Sequence, residues 1–281
     1  MNIPNNIAVN LSAVKVMGVI NITPDSFSDG GKYGNLSSIL SATDAMVEAG
    51  AHVLDVGGES TRPGAEPVSL DEELHRVIPV IETLWKRYPH IPISIDTYKS
   101  AVARTALKSG ASWVNDISGG TFSRDMFTIA AEFAATIIIS HIKGTPRDMQ
   151  QNPHYDNVIA EIREWLSERA QAATIAGIPK ENIIIDPGIG FGKKFEDNIT
   201  ILHNLENFRS LGYQLLVGAS RKSFIGHYTG ERDASRRDPG SYVAALWAVV
   251  HGADFIRVHD VPGTVQALKM AKAILEHQRI S

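Results

Sequence analysis

Short runs rich in β-branched residues recur along the chain and alternate with longer stretches of helical spacing. This alternation constrains the fold more than any other feature, because strands separated by helices must pair in parallel. There are eight such runs, at residues 14–20, 52–56, 91–95, 112–114, 136–139, 183–185, 215–217 and 255–258. Residues 71–87 repeat apolar side chains at the spacing of one helix face, and "SLDEE" supplies a cap and negative charge for the first turn.

This pattern predicts an α/β fold. About eight strand–helix repeats close into a single (β/α)8 barrel, the TIM barrel, whose active site lies at the C-terminal ends of the strands. An open, doubly wound parallel sheet remains the alternative. The chain of 281 residues has the length of two average domains, yet barrels of this length form one. Because no linker or repeat interrupts the pattern, we expect one domain over 1–281, with its core at about 14–275.

Composition limits the possible partners. The net charge of −4 indicates neither a nucleic acid nor an anionic membrane surface as a partner. The absence of cysteine excludes disulfides, thiolate zinc sites and thiol nucleophiles. No signal-peptide pattern opens the chain, and no apolar run approaches the roughly 18 residues that a membrane span needs. We therefore expect a soluble, cytoplasmic enzyme.

Polar residues follow all eight runs, at the points where the strands should end. They are Asn21, Asp55, Asp96, Asn115 with Asp116, Ser140 with His141, Asp186, Ser220 with Arg221 and Lys222, and Arg257 with His259. One such residue alone would be read as a cap or a satisfied buried group. In a barrel, however, all eight ends face one mouth, and eight together indicate an active site there.

The candidate residues differ in charge. The cationic set comprises Arg62, Lys222, Arg257 and His259, and the anionic set comprises Asp29, Asp96 and Asp186. Cations beside an amide such as Asn21 suit a phosphate or pyrophosphate with Mg²⁺ bridging oxygen ligands. A buried carboxylate suits an amino-pyrimidine edge, whose adjacent N–H groups can donate two hydrogen bonds to it. The predicted substrate is an aromatic heterocycle that carries a diphosphate.

Competing motifs fail on spacing. The segment 186–194, "DPGIGFGKK", is one residue too short for a phosphate-binding P-loop, and its glycines do not match a dinucleotide fingerprint. The sequence has no H-E-x-x-H zinc motif and no G-x-S-x-G hydrolase elbow. Zinc chemistry and serine hydrolysis are therefore disfavoured.

Seven motifs, in order along residues 14–275, resemble the dihydropteroate synthases of the pterin-binding family. They are "NITPDSFSDGG" (21–31), "DVGGESTRPGA" (55–65), "ISIDTYKS" (93–100), "NDISGG" (115–120), "DPGIGFGK" (186–193), "SRKSFIG" (220–226) and "RVHDV" (257–261). The resemblance implies a homodimeric transferase of folate biosynthesis. It would join 6-hydroxymethyl-7,8-dihydropterin diphosphate to p-aminobenzoate with SN1-like loss of pyrophosphate, and sulfonamides would compete with p-aminobenzoate.

The resemblance also implies roles for individual residues. The pterin would be bound by Asp96, Asn115, Asp186, Lys222 and Arg257. The diphosphate would be bound by Asn21, Thr61, Arg62, Arg257 and His259, with Asn21 as the Mg²⁺ contact. The p-aminobenzoate side would comprise Phe27, Thr61, Arg62, Pro63, Phe191 and Ser220. The catalytic set would be Asp29, Asp96, Lys222, Arg257 and His259.

Several residues keep a second interpretation. Asp55 is expected to bond the backbone of the loop that follows it, and Lys193 is expected to face solvent. Asp116 and His141 either shape the rim or touch the ligand. Trp85, at helical spacing, is expected in the core. Ser140 stands where the family commonly has Met, so apolar contact with the pterin should be smaller there. The rival functions are a methyltetrahydrofolate-binding methyltransferase and a catalytically silent pterin-binding paralogue.

Overall fold

The computed structural model describes residue 11, residues 13–22 and residues 32–277, the last range with side chains from residue 36 onward. In this part of the chain eight parallel strands close a barrel in chain order, and the last strand pairs with the first. The strands are β1 Lys15–Asn21, β2 Val53–Gly57, β3 Ile93–Asp96, β4 Trp113–Asp116, β5 Thr136–Ser140, β6 Ile183–Asp186, β7 Gln214–Val217 and β8 Phe255–Val258. The predicted (β/α)8 barrel is confirmed, and the open sheet is excluded because it would leave β1 and β8 unpaired.

Helices follow the strands and cover the outside of the barrel. They are α1 Lys32–Ala49, α2 Leu70–Arg87, α3 Ser100–Lys108, α4 Met126–Glu132, α5 Val158–Ile175, α6 Phe195–His203, α7 Leu205–Arg209, α8 Ser223–Thr229, α9 Asp238–Val250 and α10 Val261–Glu276. Two 3-10 turns, Lys180–Asn182 and Ala234–Arg236, precede β6 and α9. Among the helices of the described ranges, none is both long and apolar enough to cross a membrane.

Helix α2 shows how the sequence specifies this outer layer. The Ser69 side chain accepts a hydrogen bond from the backbone N–H of Glu72 and so caps the helix, as "SLDEE" predicted. Its buried apolar residues are Val77, Val80, Ile81 and Leu84. Trp85, in contrast, is 53% exposed, so its prediction as a core residue was wrong. Position 85 lies a quarter turn from Leu84, and the indole covers the surface at Gly110, where any side chain would collide with it.

The inside of the barrel is built in layers, because every second residue of a strand points inward. The lower layer is an apolar cluster in which every side chain is at most 1% exposed: Met17, Val53, Ile138, Ile184, Leu216 and Phe255. Two residues closer to the C-terminal ends, the same faces carry polar groups. This upper layer comprises Asp55, Asp96, Asn115, Ser140, Asp186 and Arg257.

Two glycines keep the upper layer open. A Cβ atom at Gly57 would lie 3.5 Å from Asp96 Oδ2 and 3.7 Å from Asn21 Oδ1. A Cβ atom at Gly218 would lie 3.7 Å from Arg257 Cβ. Side chains at these positions would occupy the space beside the charged groups, so glycine leaves room for a ligand to approach them.

Candidate active site

Arg257 is the centre of a buried charge network in the upper layer. Its Nε donates a hydrogen bond to Asp55 Oδ2 at 2.6 Å, and its Nη2 donates to Asp96 Oδ2 at 2.6 Å. Asn115 Nδ2 donates to the same Asp55 oxygen at 3.0 Å. The Oδ1 atoms of Asp55 and Asp96 are buried with no hydrogen-bond partner among the described residues. Two carboxylate oxygens of the network therefore keep unused acceptor capacity.

Burial controls the ionisation of this network. It raises the pKa of Asp96 to about 7, although the positive charge of Arg257 acts in the opposite direction. Burial acts to lower the pKa of Arg257, but Asp55 and Asp96 outweigh it and raise that pKa, so the guanidinium stays charged. The prediction that Asp55 bonds the loop that follows it was wrong. Position 55 points into the barrel, where the carboxylate orients Arg257 and Asn115.

Asp186 ends β6 on the same face. Its Oδ1 accepts a hydrogen bond from the backbone N–H of Gly188 at 2.8 Å, and its Oδ2 accepts one from Ser140 Oγ at 3.3 Å. Burial raises the pKa of Asp186, while Lys222 acts to lower it. At position 140 this chain therefore has a hydroxyl that bonds the carboxylate, where a Met would offer only apolar contact.

Lys222 follows β7 and lies against the β6–α6 loop, residues 187–194. Its Nζ donates to the backbone carbonyl of Ile189 and lies 3.8 Å from the centroid of the Phe191 ring. Its methylene chain passes Gly190 so closely that a Cβ there would come within 2.9 Å of Lys222 Cδ. Burial lowers the pKa of Lys222 to about 8, although Asp186 acts to raise it. The ammonium is thus aimed at the same interior as the carboxylates.

His259 and Ser220 form a pair on the neighbouring part of the mouth. Ser220 Oγ accepts from the backbone N–H of His259 at 3.2 Å and lies 3.0 Å from its Nδ1, to which the hydroxyl can donate. Burial, together with the charge of Arg257, lowers the pKa of His259 to about 3. The imidazole is therefore neutral in the free protein, and a bound anion would favour its protonated form.

The remaining predicted residues lie at the rim. Asn21 ends β1 with an exposed side chain, whose Oδ1 lies beside the same Gly57 position as Asp96 Oδ2. Thr61 is half-buried and Arg62 and Pro63 are exposed in the loop after β2. The charge of Arg62 contributes to the lowered pKa of His259, so the two side chains share one face. Phe27 and Asp29 lie outside the described residues.

The described residues fit Mg²⁺ only in combination with a substrate. They contain no group of three or more His, Cys, Asp or Glu side chains arranged to hold a metal ion. Asn21 contributes one neutral oxygen ligand at the rim. Mg²⁺ typically keeps several waters and binds through one or two protein oxygens plus substrate phosphates. The donor set therefore fits an ion that arrives with a diphosphate, and it does not fit a permanent all-protein site.

The loop after β2 rests on a charge cluster that the sequence predictions missed. Lys99 Nζ donates to Glu73 Oε2 at 2.6 Å and also to Glu59 Oε2. The Tyr98 hydroxyl donates to Glu59 Oε1. Glu59 and Lys99 stand inside the motifs "GGEST" and "IDTYKS", but only the fold brings these motifs together. The cluster fixes the loop at its base, four residues or fewer from Thr61, Arg62 and Pro63.

Burial bears on two further expectations. Lys193 is 1% exposed, so the prediction that it faces solvent was wrong. Its Nζ lies 3.0 Å from Nδ1 of His141, whose ring makes an edge contact with Trp165. Asp116 is fully buried and accepts hydrogen bonds from Ser118 and Gly120 in the turn that follows it. These contacts favour the interpretation that Asp116 and His141 shape the rim of the mouth.

A groove on the outer surface is unrelated to this mouth. It lies between α5 and α7 and is lined by polar side chains such as Arg163, Glu164 and Asn207. None of its lining residues belongs to the network above, and it lacks the buried charges that distinguish a site of chemistry. The charge network, and not the shape of the surface, identifies the candidate site.

Comparison with known proteins identifies the family of this chain. The sequence model of the family described as pterin binding enzyme matches residues 17–259. Dihydropteroate synthase of Synechocystis sp. is 48% identical over 259 residues, which cover 92% of this chain and 89% of the relative. The structure of Xanthomonas albilineans dihydropteroate synthase with 4-aminobenzoic acid has a TM-score of 0.88 and 42% identity, with 95% of each chain covered.

A second structure of the Xanthomonas albilineans enzyme is a complex with 7,8-dihydropteroate. Its TM-score is 0.84 at 39% identity, and the match covers 95% of this chain and 96% of the other. The similarity thus extends over nearly the full length of each relative, across all eight strand ends. Because family model, sequence relatives and solved structures agree, this chain belongs to the dihydropteroate synthases of the pterin binding enzyme family.

Proposed function

We propose that the chain condenses 6-hydroxymethyl-7,8-dihydropterin diphosphate with p-aminobenzoate, releasing pyrophosphate and 7,8-dihydropteroate. The observation that carries this proposal is the convergence of three carboxylates, an amide, an ammonium and a guanidinium inside one barrel mouth. They are Asp55, Asp96, Asp186, Asn115, Lys222 and Arg257. Family membership supports the same reaction, which is a step of folate biosynthesis.

The acidic part of the network would bind the pterin ring. Asp96 and Asp186 are buried acceptors, and an amino-pyrimidine edge offers adjacent N–H donors that match a carboxylate. Lys222 would donate to the carbonyl and N5 edge of the ring, because its ammonium faces the same interior. A flat, hydrogen-bonded ring between these groups would be fixed in one orientation, which is the first requirement for directed chemistry.

The basic part would stabilise the leaving group. Heterolysis of the C–O bond gives pyrophosphate and a methylene cation that is conjugated with the electron-rich dihydropterin ring. Arg257 and His259 would oppose the negative charge that develops on the leaving oxygen, and Arg62 would add charge from the rim. Asp96 would stabilise the cation by accepting from the N–H of the ring. Mg²⁺, held by Asn21 and the diphosphate, would neutralise further charge on the phosphate oxygens.

The rim would position the second substrate. An arylamine is already a nucleophile, so the site has chiefly to hold it against the methylene carbon and exclude water. Phe191 and Pro63 offer apolar walls for the benzoate ring. Ser220, Thr61 and Arg62 offer donors for its carboxylate. Phe27 and Asp29 would belong to the loop that closes over this side.

Two features disfavour the rival functions. A methyltetrahydrofolate-binding methyltransferase needs no pyrophosphate pocket, whereas Arg62, Arg257 and His259 would form one here. A silent paralogue would not need to retain the whole buried network, because replacing buried ionic groups with apolar ones is often neutral or stabilising. The intact set of costly charges is better explained by turnover.

The test is a two-substrate assay with purified protein and Mg²⁺. Pyrophosphate should be released only when both the pterin diphosphate and p-aminobenzoate are present, and a sulfonamide should compete with p-aminobenzoate. Equal release with the pterin diphosphate alone would indicate a hydrolase, and no release at all would support the silent paralogue. Methyl transfer from a methylated tetrahydrofolate would support the first rival.

We also propose one domain, a cytoplasmic location and a homodimer. The exposed apolar side chains of the adjacent helices α9 and α10, such as Val243 at 69% and Met270 at 61%, would be covered by a second copy. Light scattering should give twice the mass of 30.6 kDa. A monomer at micromolar concentration would refute the dimer without affecting the proposed reaction.

A further inference from the structure

Lys193 is a buried lysine whose side chain makes no hydrogen bond to the charge network of the site. Its Nζ lies 2.9 Å from the carbonyl oxygen of Phe191, 3.3 Å from the carbonyl oxygen of His141 and 3.0 Å from His141 Nδ1. An ammonium has three N–H groups, and these three acceptors use all of them. The side chain therefore links the β6–α6 loop to the segment that follows β5.

These two segments are in direct backbone contact beside that link. A Cβ atom at Gly188 would lie 1.9 Å from the carbonyl oxygen of His141, and one at Gly192 would lie 2.2 Å from that of Lys143. Both glycines also have positive φ, +70° and +64°, which other residues rarely adopt. Only glycine allows the loop to press against its neighbour, and Lys193 supplies the hydrogen bonds across the contact.

The same loop also contacts Lys222. The carbonyl of Ile189 accepts from Lys222 Nζ, the chain of Lys222 crosses Gly190, and the Phe191 ring covers the ammonium. One residue, Phe191, thus takes part in both contacts: its carbonyl accepts from Lys193, and its ring lies over Lys222. Lys193 and Lys222 therefore both donate hydrogen bonds to carbonyl groups of the β6–α6 loop.

The arrangement is energetically costly unless it has a use. A buried cation loses its hydration, and buried ionic groups replaced by apolar side chains of similar volume often leave stability unchanged or improved. Burial lowers the pKa of Lys193, and it also lowers the pKa of His141, which keeps the imidazole neutral as an acceptor. Stability alone gives no reason to keep a lysine here, whereas exact placement of Phe191 does.

We infer that Lys193 is a positioning residue, which holds the β6–α6 loop where the Phe191 ring can line the p-aminobenzoate side and cover Lys222. The inference rests on the proposed function for its kinetic consequence. The three hydrogen bonds of Lys193 go to His141 and Phe191, and none goes to a residue proposed to bind the pterin. Its charge also acts on Asp186, whose pKa it acts to lower. Its removal should therefore affect the second substrate, through Phe191, more than the pterin.

The primary test compares Lys193→Met with Lys194→Met, which removes the neighbouring exposed lysine. In K193M the KM for p-aminobenzoate should rise about tenfold, since buried acceptors are left unpaired and the loop relaxes. The Kd for the pterin diphosphate, measured by calorimetry without p-aminobenzoate, should stay within about threefold, because none of the groups proposed to bind the pterin is a hydrogen-bond partner of Lys193. K194M should leave both constants unchanged. Equal losses for both substrates, or no loss for either, would overturn the inference.

A double-mutant cycle tests the route through Phe191. In the Phe191→Leu background, K193M should raise the KM for p-aminobenzoate by no more than about twofold, because the group that Lys193 positions is already gone. Additive effects of the two substitutions would mean that Lys193 acts elsewhere, and would contradict the inference. If K193M does not fold, Lys193→Gln keeps two donors and serves in the same cycle.

A readout without turnover separates this inference from the proposed function. In the wild type, ¹⁵N NMR of the His141 imidazole should show a single neutral tautomer with a hydrogen-bonded Nδ1. In K193M, that signal should shift, and the amides of 187–193 should exchange with deuterium about tenfold faster, as local opening becomes easier. If wild-type turnover failed while these shifts appeared, only the function would be refuted. Unchanged exchange in K193M would refute the positioning role.

Discussion

The two ends of the barrel differ sharply although the same strands build them. Phe255 and Ile184 are apolar members of the lower layer, and two residues later the same strands present Arg257 and Asp186. Inward-pointing positions thus change from hydrocarbon to charge within about 7 Å of strand. The lower layer fills the barrel and stabilises it. The upper layer carries the carboxylate oxygens of Asp55 and Asp96 that have no partner among the described residues, and their burial lowers stability. A bound ligand that donates hydrogen bonds to them would offset this cost.

If this division is correct, truncation in the lower layer should have the largest effect on stability. Phe255→Ala should lower the free energy of unfolding by about 3–5 kcal/mol, the range for truncating a buried Phe. Urea unfolding measures the loss, and calorimetry on the fraction that remains folded should give a nearly unchanged pterin Kd. A small stability loss with a large loss of pterin affinity would show that the two ends are not separable.

The reciprocal substitution lies in the upper layer. Asp186→Asn should weaken pterin binding by about 2–5 kcal/mol, the range for truncating one partner of a buried charged pair. Because it removes a buried charge whose pKa is already raised, the thermal midpoint should stay the same or increase. Glu196→Gln, on the exposed start of α6, is the control for loss of one carboxylate. Unchanged pterin affinity in D186N would remove Asp186 from the site.

The charges of the upper layer should also give the pH profile of kcat/KM an acid limb and an alkaline limb. Asp96 must be ionised to accept from the pterin, so kcat/KM should fall about tenfold per unit as pH drops below its pKa of about 7. Lys222 must be protonated to donate, so kcat/KM should fall as pH rises through its pKa of about 8. These are apparent values for an interacting set.

Lys222→Arg sharpens that measurement. Its guanidinium stays charged throughout the range, so the alkaline limb should disappear while the acid limb remains. A flat profile from pH 6 to pH 9 in the wild type would contradict both assignments. An alkaline limb that persists in the Arg variant would assign it to another group, such as the substrate.

The smallest expected effect compares two buried serines. Ser140→Ala removes the hydrogen bond to Asp186 and should weaken pterin binding by about 0.5–1.5 kcal/mol. Ser94→Ala, two residues before Asp96 on the same inward face, removes a buried hydroxyl that has no partner among the described residues, and should not change binding. Equal effects of the two substitutions on pterin binding would contradict the assignment of ligand binding to the upper layer alone.

The division into an apolar lower layer and a charged upper layer can be predicted from the sequence, because it follows from regular patterns along the chain. Alternation of strand and helix predicts the barrel, and the polar residue after each apolar run predicts the upper layer. Contacts between loops could not be predicted from the sequence. "FGKK" reads as a solvated turn until the β6–α6 loop folds back and buries Lys193. Likewise, position 55 was recognised as charged, but its pairing with Arg257 depends on the closure of the whole ring.

That pairing has a consequence for synthesis. Asp55 and Arg257 are 202 residues apart, and Asp96 and Arg257 are 161 apart. Asp55 and Asp96 are therefore synthesised long before Arg257, their counterion. Until β8 is synthesised, β1 and β7 each have one unpaired edge. Synthesis of β8 both closes the barrel and supplies Arg257. A nascent chain that lacks β8 has neither the closed barrel nor the guanidinium that pairs with Asp55 and Asp96.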